Sequence, residues 1–375
     1  MKKLLLLIVL SALCFISNAQ ITDLAWSFRA SGKITASPMA HEGVIYIGNS
    51  DGNFYAINAS DGSKKWSFKT KHAIKSKALA TDELVFFESG NIFYALDQST
   101  GKQLWSFDTG DTQYYDQIDI YDDTRSRAAF YNGAIYVGTS DGFIYGLNKR
   151  NGREVFKVNS DANSPVRSSP FIKDDKLYFG DWNGLVYCYN LSNKKLIWKK
   201  RTYTFPKPYD TFGGITSAFT VYNNKLFFGA RNPIFNVLNT ESGDLEWSYT
   251  SSEGGWMYSS PVYYDSTIFI GGSDNHSLFA FDPIYGSIKW KYNSSQNIMA
   301  EPLVSGSIIT FTSGDVYKPN SPGAITRLDR NSGKLISKIQ LPKLSISAPI
   351  MVDNKVIFGC HDGQVYAIKF SNYDE

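Results

Sequence analysis

The sequence predicts an all-β fold, a single eight-bladed β-propeller built from four-stranded antiparallel blades. Three observations predict it. A strand-and-turn meander recurs eight times at about 44 residues per copy, a period that suits one four-stranded blade. An aromatic residue returns at a fixed offset within the copies. The outer strand that the last copy lacks has its match at the opposite end of the chain.

The unit is clearest at residues 43–68, GVIYIGNSDGNFYAINASDGSKKWSF. Val44–Gly48 is rich in β-branched and aromatic residues, and Asp51-Gly52 turns the chain. Asn53–Asn58 is the second strand, Asp61-Gly62 turns it again, and residues 64–68 close the unit with a tryptophan. Asp-Gly between alternating apolar runs signals a hairpin, because both residues tolerate positive φ. Residues 35–40 supply the strand that precedes these three.

Aligned on the second of these strands, the copies are Ala-Ile-Asn at 56–58, Ala-Leu-Asp at 95–97, Gly-Leu-Asn at 146–148 and Cys-Tyr-Asn at 188–190. Val-Leu-Asn at 237–239, Ala-Phe-Asp at 280–282, Arg-Leu-Asp at 327–329 and Ala-Ile-Lys at 367–369 complete the series. Eight residues after each Asn or Asp stand Trp66, Trp105, Phe156, Trp198, Trp247 and Trp290. The seventh copy has Ser337 there, and the eighth runs out of chain. Trp26-Ser27-Phe28 repeats Trp66-Ser67-Phe68, so the last blade is expected to take its outer strand from the N-terminus. Such closure leaves the ring no gap with open sheet edges.

This repeat resembles the pyrroloquinoline-quinone-type propeller family, whose tryptophan-docking pattern runs A-x-D-x-x-T-G-x-x-x-W. Residues 95–105 (ALDQSTGKQLW) match it throughout, and residues 56–66 and 280–290 match with changes at Asn58, Asp61 and Tyr285. The Ser-Ser-Pro that opens many blades of that family stands at 168–170 and 259–261. The resemblance spans nearly all of the chain after residue 19. It implies the fold, but not the activity, because this fold hosts both quinoprotein dehydrogenases and catalytically silent scaffolds.

Residues 1–19 read as a secretory signal peptide: Lys2 and Lys3, an apolar run over 4–16, then Ser17-Asn18-Ala19 ahead of a cut before Gln20. The apolar run is short for a transmembrane helix. Cys14 follows Leu13, where a lipobox has a small residue, so lipoprotein anchoring is not expected. Without Lys2 and Lys3 the formal net charge falls from +3 to about +1, and no basic stripe offers nucleic acid a footprint. Cys188 and Cys360 fall in blades that face each other across the ring, too far apart for a disulfide.

The insertions between copies are where function is expected. Three lie between an outer strand and the next inner strand, at 108–126, 201–215 and 250–257; a fourth, at 313–323, joins two middle strands. In a propeller all four project from one face. They supply the binding-face candidates Tyr114, Tyr115, Asp116, Tyr121, Tyr209, Phe212, Trp256, Tyr258 and Tyr317. Near the axis on the same face the candidates are Arg127, Arg167, Trp182 and Arg231. Arg127 and Arg167 read as corresponding positions of adjacent blades, able to hold an anion together or to pair with Asp181 or Glu301. Exposed aromatics with carboxylates suit a protein or glycan surface, with Trp256 and Tyr209 as the candidate sugar-stacking pair.

No catalytic residue and no metal ligand set is expected. The acidic run at 116–123 offers oxygen ligands for calcium but lacks the EF-hand order. A quinoprotein alcohol dehydrogenase, as the resemblance describes it, carries vicinal cysteines, and no two cysteines are adjacent in this chain. Pyrroloquinoline quinone and a carbohydrate-active propeller are therefore the alternatives, and no cofactor is the expectation. In size, blade count and export the chain resembles the BamB-type outer-membrane assembly factors. That implies an exported, non-enzymatic scaffold, periplasmic or extracellular, that binds a protein or glycan through its loop-bearing face.

Overall fold

The structure is a computed structural model that describes residues 23–110, 118, 122, 125–202 and 213–370. Among the described residues the chain forms eight four-stranded antiparallel sheets. In order these are blade 1 (39–69), blade 2 (79–108), blade 3 (129–159), blade 4 (171–201), blade 5 (220–250), blade 6 (262–293) and blade 7 (303–341). Blade 8 has three strands from the C-terminal end (350–369), and its outer strand is Leu24–Arg29. The innermost strands of blades 8 and 1 touch, so the ring is closed.

The register explains the sequence repeat. Each aromatic sits directly across from the residue two before the repeat's Asn or Asp: Ala56 faces Trp66, Ala95 faces Trp105 and Gly146 faces Phe156. Cys188 faces Trp198, Val237 faces Trp247 and Ala280 faces Trp290. In blade 8 the partner of Ala367 is Trp26, so the N-terminal strand enters in the same register as the others.

Each indole then reaches the next blade. The ring N–H of Trp26 donates to the carbonyl of Ala59 at 3.0 Å, Trp66 to Gln98 and Trp105 to Lys149 at the same distance. Trp198 donates to Thr240, Trp247 to Pro283 and Trp290 to Arg330. The acceptor is always the residue just after the repeat's Asn or Asp. The ring lies flat on the glycine three residues further on. At Gly62 (φ +77°) an added Cβ would stand 2.7 Å from the Trp26 ring, so the position excludes side chains both by backbone and by space. Blade 4 lacks this glycine. Lys194 takes the positive φ of 59° in its place, and the residue packed there is the smaller Phe156. At the last junction Ser337 leaves the indole slot empty of an aromatic, and Arg327 stacks at 4.2 Å on Phe370 from the C-terminal end.

Two local expectations change. The innermost strand of blade 1 begins at Met39 and ends at His41, later than the predicted 35–40. Pro38 cannot donate to a ladder, and the segment ahead of it runs beside the axis without strand pairing. Only the glycines of the Asp-Gly turns take positive φ, +78° at Gly52 and +77° at Gly62. The turn is longer than two residues because Asn49 Oδ1 accepts the backbone N–H groups of both Asp51 and Asn53.

The core is a series of clusters shared between adjacent blades, such as Tyr46, Phe54, Ile74, Val85 and Phe87 between blades 1 and 2. Cys188 and Cys360 are buried free thiols in two separate clusters. The segment 1–19 lies outside the described residues.

Candidate functional site

In six of the eight blades the segment that leads into the inner strand carries a serine that ties it to its own blade; blades 1 and 7 have Ala36 and Ala300 at that position. Twelve residues on, at the end of the second strand, a backbone N–H donates to that hydroxyl. The pairs are Ser76 with Glu88, Ser126 with Gly138, Ser168 with Gly180, Ser217 with Gly229, Ser259 with Gly271 and Ser347 with Gly359. The residue after this position faces the axis. Ser37, Lys77, Arg127, Ser169, Ala218, Ser260, Glu301 and Ala348, one per blade, line an axial cavity of about 90 Å³. Thr35, Lys75, Arg125, Thr216, Met299 and Ile346, each two residues earlier, complete its wall.

This register corrects the pairing of the two arginines. Arg167 precedes its serine, and its counterpart in blade 3 is Arg125, whereas Arg127 follows Ser126 into the cavity. The partners also differ for each. Arg127 meets Glu301 of blade 7 at 3.8 Å, which is one of the two partners expected. Arg167 is buried, not axial, and binds Asp122 through Nε and Nη2 at 3.2 and 3.1 Å. Asp181 has no share in it: its carboxylate accepts the N–H groups of Asn183 and Leu185 and the hydroxyl of Tyr187, fixing a turn.

Asp122 is the centre of a buried charge cluster. Its carboxylate also takes Arg125 Nη1 at 3.0 Å, and Lys75 Nζ reaches its carbonyl at 3.3 Å. Burial pushes the Asp122 carboxyl up, but Arg167, then Arg125 and the Ile118 N–H, outweigh it and hold the group below its usual value. Beside them lies Glu88, which occupies the position held by glycine in the other serine-tied blades. Burial raises its carboxyl to about 7, against the opposing pull of Arg125 and Arg167. Sequence reasoning missed Glu88, Lys77 and Arg125. The serine-to-glycine spacing of twelve was the signal that could have found them.

The second group of candidates packs inward. Arg231 is fully buried, with its guanidinium 4.2 Å from the Trp182 ring and 4.4 Å from the Trp256 ring. Trp256 stacks on Tyr258 with ring centres 6.0 Å apart. Trp182 and Tyr258 are buried, so these three rings with Arg231 form a packed stack under the loop face instead of an open platform. The turns that carry them are held by nearby loop backbone: the Trp182 backbone N–H bonds the Pro165 carbonyl and the Met257 backbone N–H bonds that of Asn232. Tyr317 alone of the described aromatic candidates is well exposed, at 58%. Its hydroxyl meets Asp274 of blade 6 at 2.9 Å, which fixes the blade 7 loop over the adjacent turn. Tyr114, Tyr115, Asp116, Tyr121, Tyr209 and Phe212 lie outside the described residues.

Among the described residues no three His, Cys, Asp or Glu side chains gather around a point that a metal ion would occupy. The axial cavity has the sign of charge that a carboxylated quinone requires. Its volume of about 90 Å³ falls below the ~300 Å³ typical of sites for organic ligands. No helix of the described residues is long and apolar enough to cross a membrane.

Eight blades, indole docks between them and closure by the N-terminal strand define a pyrroloquinoline-quinone-like propeller. Within that class the chain belongs to the family described as outer membrane protein assembly factor BamB, whose model matches residues 18–209 and again 184–373. The outer membrane protein assembly factor BamB of Moranella endobia (strain PCIT) is 24% identical over 261 residues, 66% of this chain and 62% of that protein. The match thus spans under two thirds of that relative's length. The crystal structure of BamB from Moraxella catarrhalis superposes with a TM-score of 0.63 at 14% identity, over 94% of this chain and 87% of that one. Quinohemoprotein alcohol dehydrogenase from Comamonas testosteroni superposes with a TM-score of 0.74 at 12% identity, over 94% of this chain and 77% of that one. Likeness at these identities is likeness of fold.

Proposed function

We propose that this chain is an exported, non-enzymatic scaffold that assists the assembly of outer-membrane proteins by binding a protein partner on its loop-bearing face. The observation that carries the reading is membership of a family described by that role. The loop face supplies a second support. Tyr317 stands exposed on a loop that its own hydroxyl bond to Asp274 holds in place, which lowers the ordering cost of a contact. A glycan platform is less favoured, because the Trp256 ring already packs against Arg231 and Tyr258. Export rests on the pattern of residues 1–19, and attachment through Cys14 is not part of the proposal.

A photo-cross-linking amino acid placed at Tyr317 in living cells tests this. Adducts with identified outer-membrane assembly proteins or with unfolded outer-membrane β-barrels support the reading. Quinone-dependent oxidation of alcohols by the purified chain would refute it.

A further inference from the structure

The loop-face reading leaves unused a group of charges at the axis. Four cations line the axial cavity, Lys75, Lys77, Arg125 and Arg127, against one carboxylate, Glu301. Arg125 is bound to Asp122, and Lys75 leans on the Asp122 carbonyl. Among the described residues the ion pair of Arg127 is the long contact to Glu301, at 3.8 Å, with both side chains about one-third exposed. Lys77 makes no ion pair among the described residues, although it lies deep in the disc.

We propose that the axial cavity binds a small dianionic oxyanion, a phosphate or a short dicarboxylate, held by Lys77 and Arg127. Excess positive charge in a low-dielectric channel concentrates anions, and field lines focus there more strongly than on an open surface. The fit is also one of size. A single water needs roughly 10–15 Å³ of such space, so about 90 Å³ accommodates an anion of five to eight heavy atoms and excludes a nucleotide. The hydroxyls of Ser37, Ser169 and Ser260 face the same space, but all three already accept backbone N–H groups from the preceding blade, from Ala348, Arg127 and Ala218. Charge, not the serines, is therefore the main source of affinity. Burial and the neighbouring Arg127 together lower the Lys77 ammonium's pKa, with Glu301 opposing; a bound anion reverses that shift.

Glu301 has a defined part in this. It occupies Arg127 when the cavity is empty and must give way when an anion enters, so it is a competitor. A merely supporting carboxylate would behave in the opposite sense. This inference does not depend on the scaffold reading, since it concerns a different surface.

The test is calorimetric titration of the purified chain with inorganic phosphate and, separately, with succinate, in chloride buffer at matched ionic strength. Saturable binding of one probe per chain is expected. Lys77→Met weakens it by about tenfold or more, as loss of a charge-assisted contact does. Glu301→Gln strengthens it. Binding of one probe and not the other identifies the oxyanion. No saturable binding of either up to about 10 mM, or equal binding by the wild-type chain and Lys77→Met, overturns the proposal. Weaker binding by Glu301→Gln overturns the competitor role on which it rests, and needs no variant of Lys77.

Discussion

Arg127 and Glu301 belong to blades 3 and 7, diametrically opposite in an eight-bladed ring, and their charged ends meet across the axis at 3.8 Å. Arg127 extends from the segment after Ser126, and Glu301 from that after Ala300, the two positions matched by the repeat. The pair spans the channel without belonging to any core cluster. Both side chains are about one-third exposed, so solvent screens their attraction. Glu301→Gln should therefore change the urea-unfolding free energy by less than ~1 kcal/mol. Glu301 also raises the pKa of Lys77, which burial lowers. Its loss should make Lys77 react faster with amine reagents at mildly alkaline pH, read by peptide mapping.

Closure by the N-terminal strand places Trp26 in a slot that every junction but two fills with an indole. Trp26→Ala removes a buried ring that packs on Gly62 and donates to Ala59. The expected cost is ~3–5 kcal/mol, measured by chemical denaturation. An unchanged midpoint would mean that the strand is not part of the closed ring.

The junction of blades 3 and 4 departs from the rule in both members. Phe156 stands for tryptophan, and Lys194 at φ +59° stands for glycine. A larger ring would meet the Cβ that Lys194 carries and glycine does not. Phe156→Trp alone should destabilise the chain, and adding Lys194→Gly should recover the loss. The double-mutant cycle should show a favourable coupling of about 0.5–3 kcal/mol. Additive effects would show that the two positions are independent.

Two buried groups make stability depend on pH in opposite directions. Glu88 has its folded pKa raised from 4.5 to about 7, so the folded state holds a proton that the unfolded chain has lost between those values. Stability from Glu88 is full below about 4.5 and is lost as pH rises to about 7. His361 is lowered from 6.5 to about 4 by burial, with Lys33 and Lys343 adding to it and Asp362 opposing. Its contribution is absent below about 4 and grows as pH rises to 6.5. Glu88→Gln should therefore remove the decline between pH 5 and pH 8 and raise the unfolding free energy at pH 8 by up to ~3 kcal/mol. The check is urea melts of both chains at the two pH values.

The blades were legible in the sequence because a propeller repeats one packing problem eight times. Ala56, Gly146 and Cys188 are small because an aromatic lies opposite each, and a fixed offset of two registers exposes that need. Strand order and closure followed. Features set by a single neighbour were less legible. Pro38 shortened the inner strand, and Asn49 lengthened its turn through side-chain acceptors that no period reports. At the site, position relative to the apolar part of adjacent inner strands matched Arg127 with Arg167, while the hydroxyl of Ser126 sets the true register two residues away. Burial of Arg231 between Trp182 and Trp256 joins three separate copies, and such a contact has no signature in any one of them.

The most direct test of the proposed role is the abundance of folded outer-membrane β-barrels in cells that lack this chain, with the wild-type gene and a Tyr317→Ala variant as complements. The scaffold account predicts fewer folded barrels in the deletion strain, full recovery with the wild-type chain, and weaker recovery with the variant at equal protein level. Normal barrel levels in the deletion strain would contradict it.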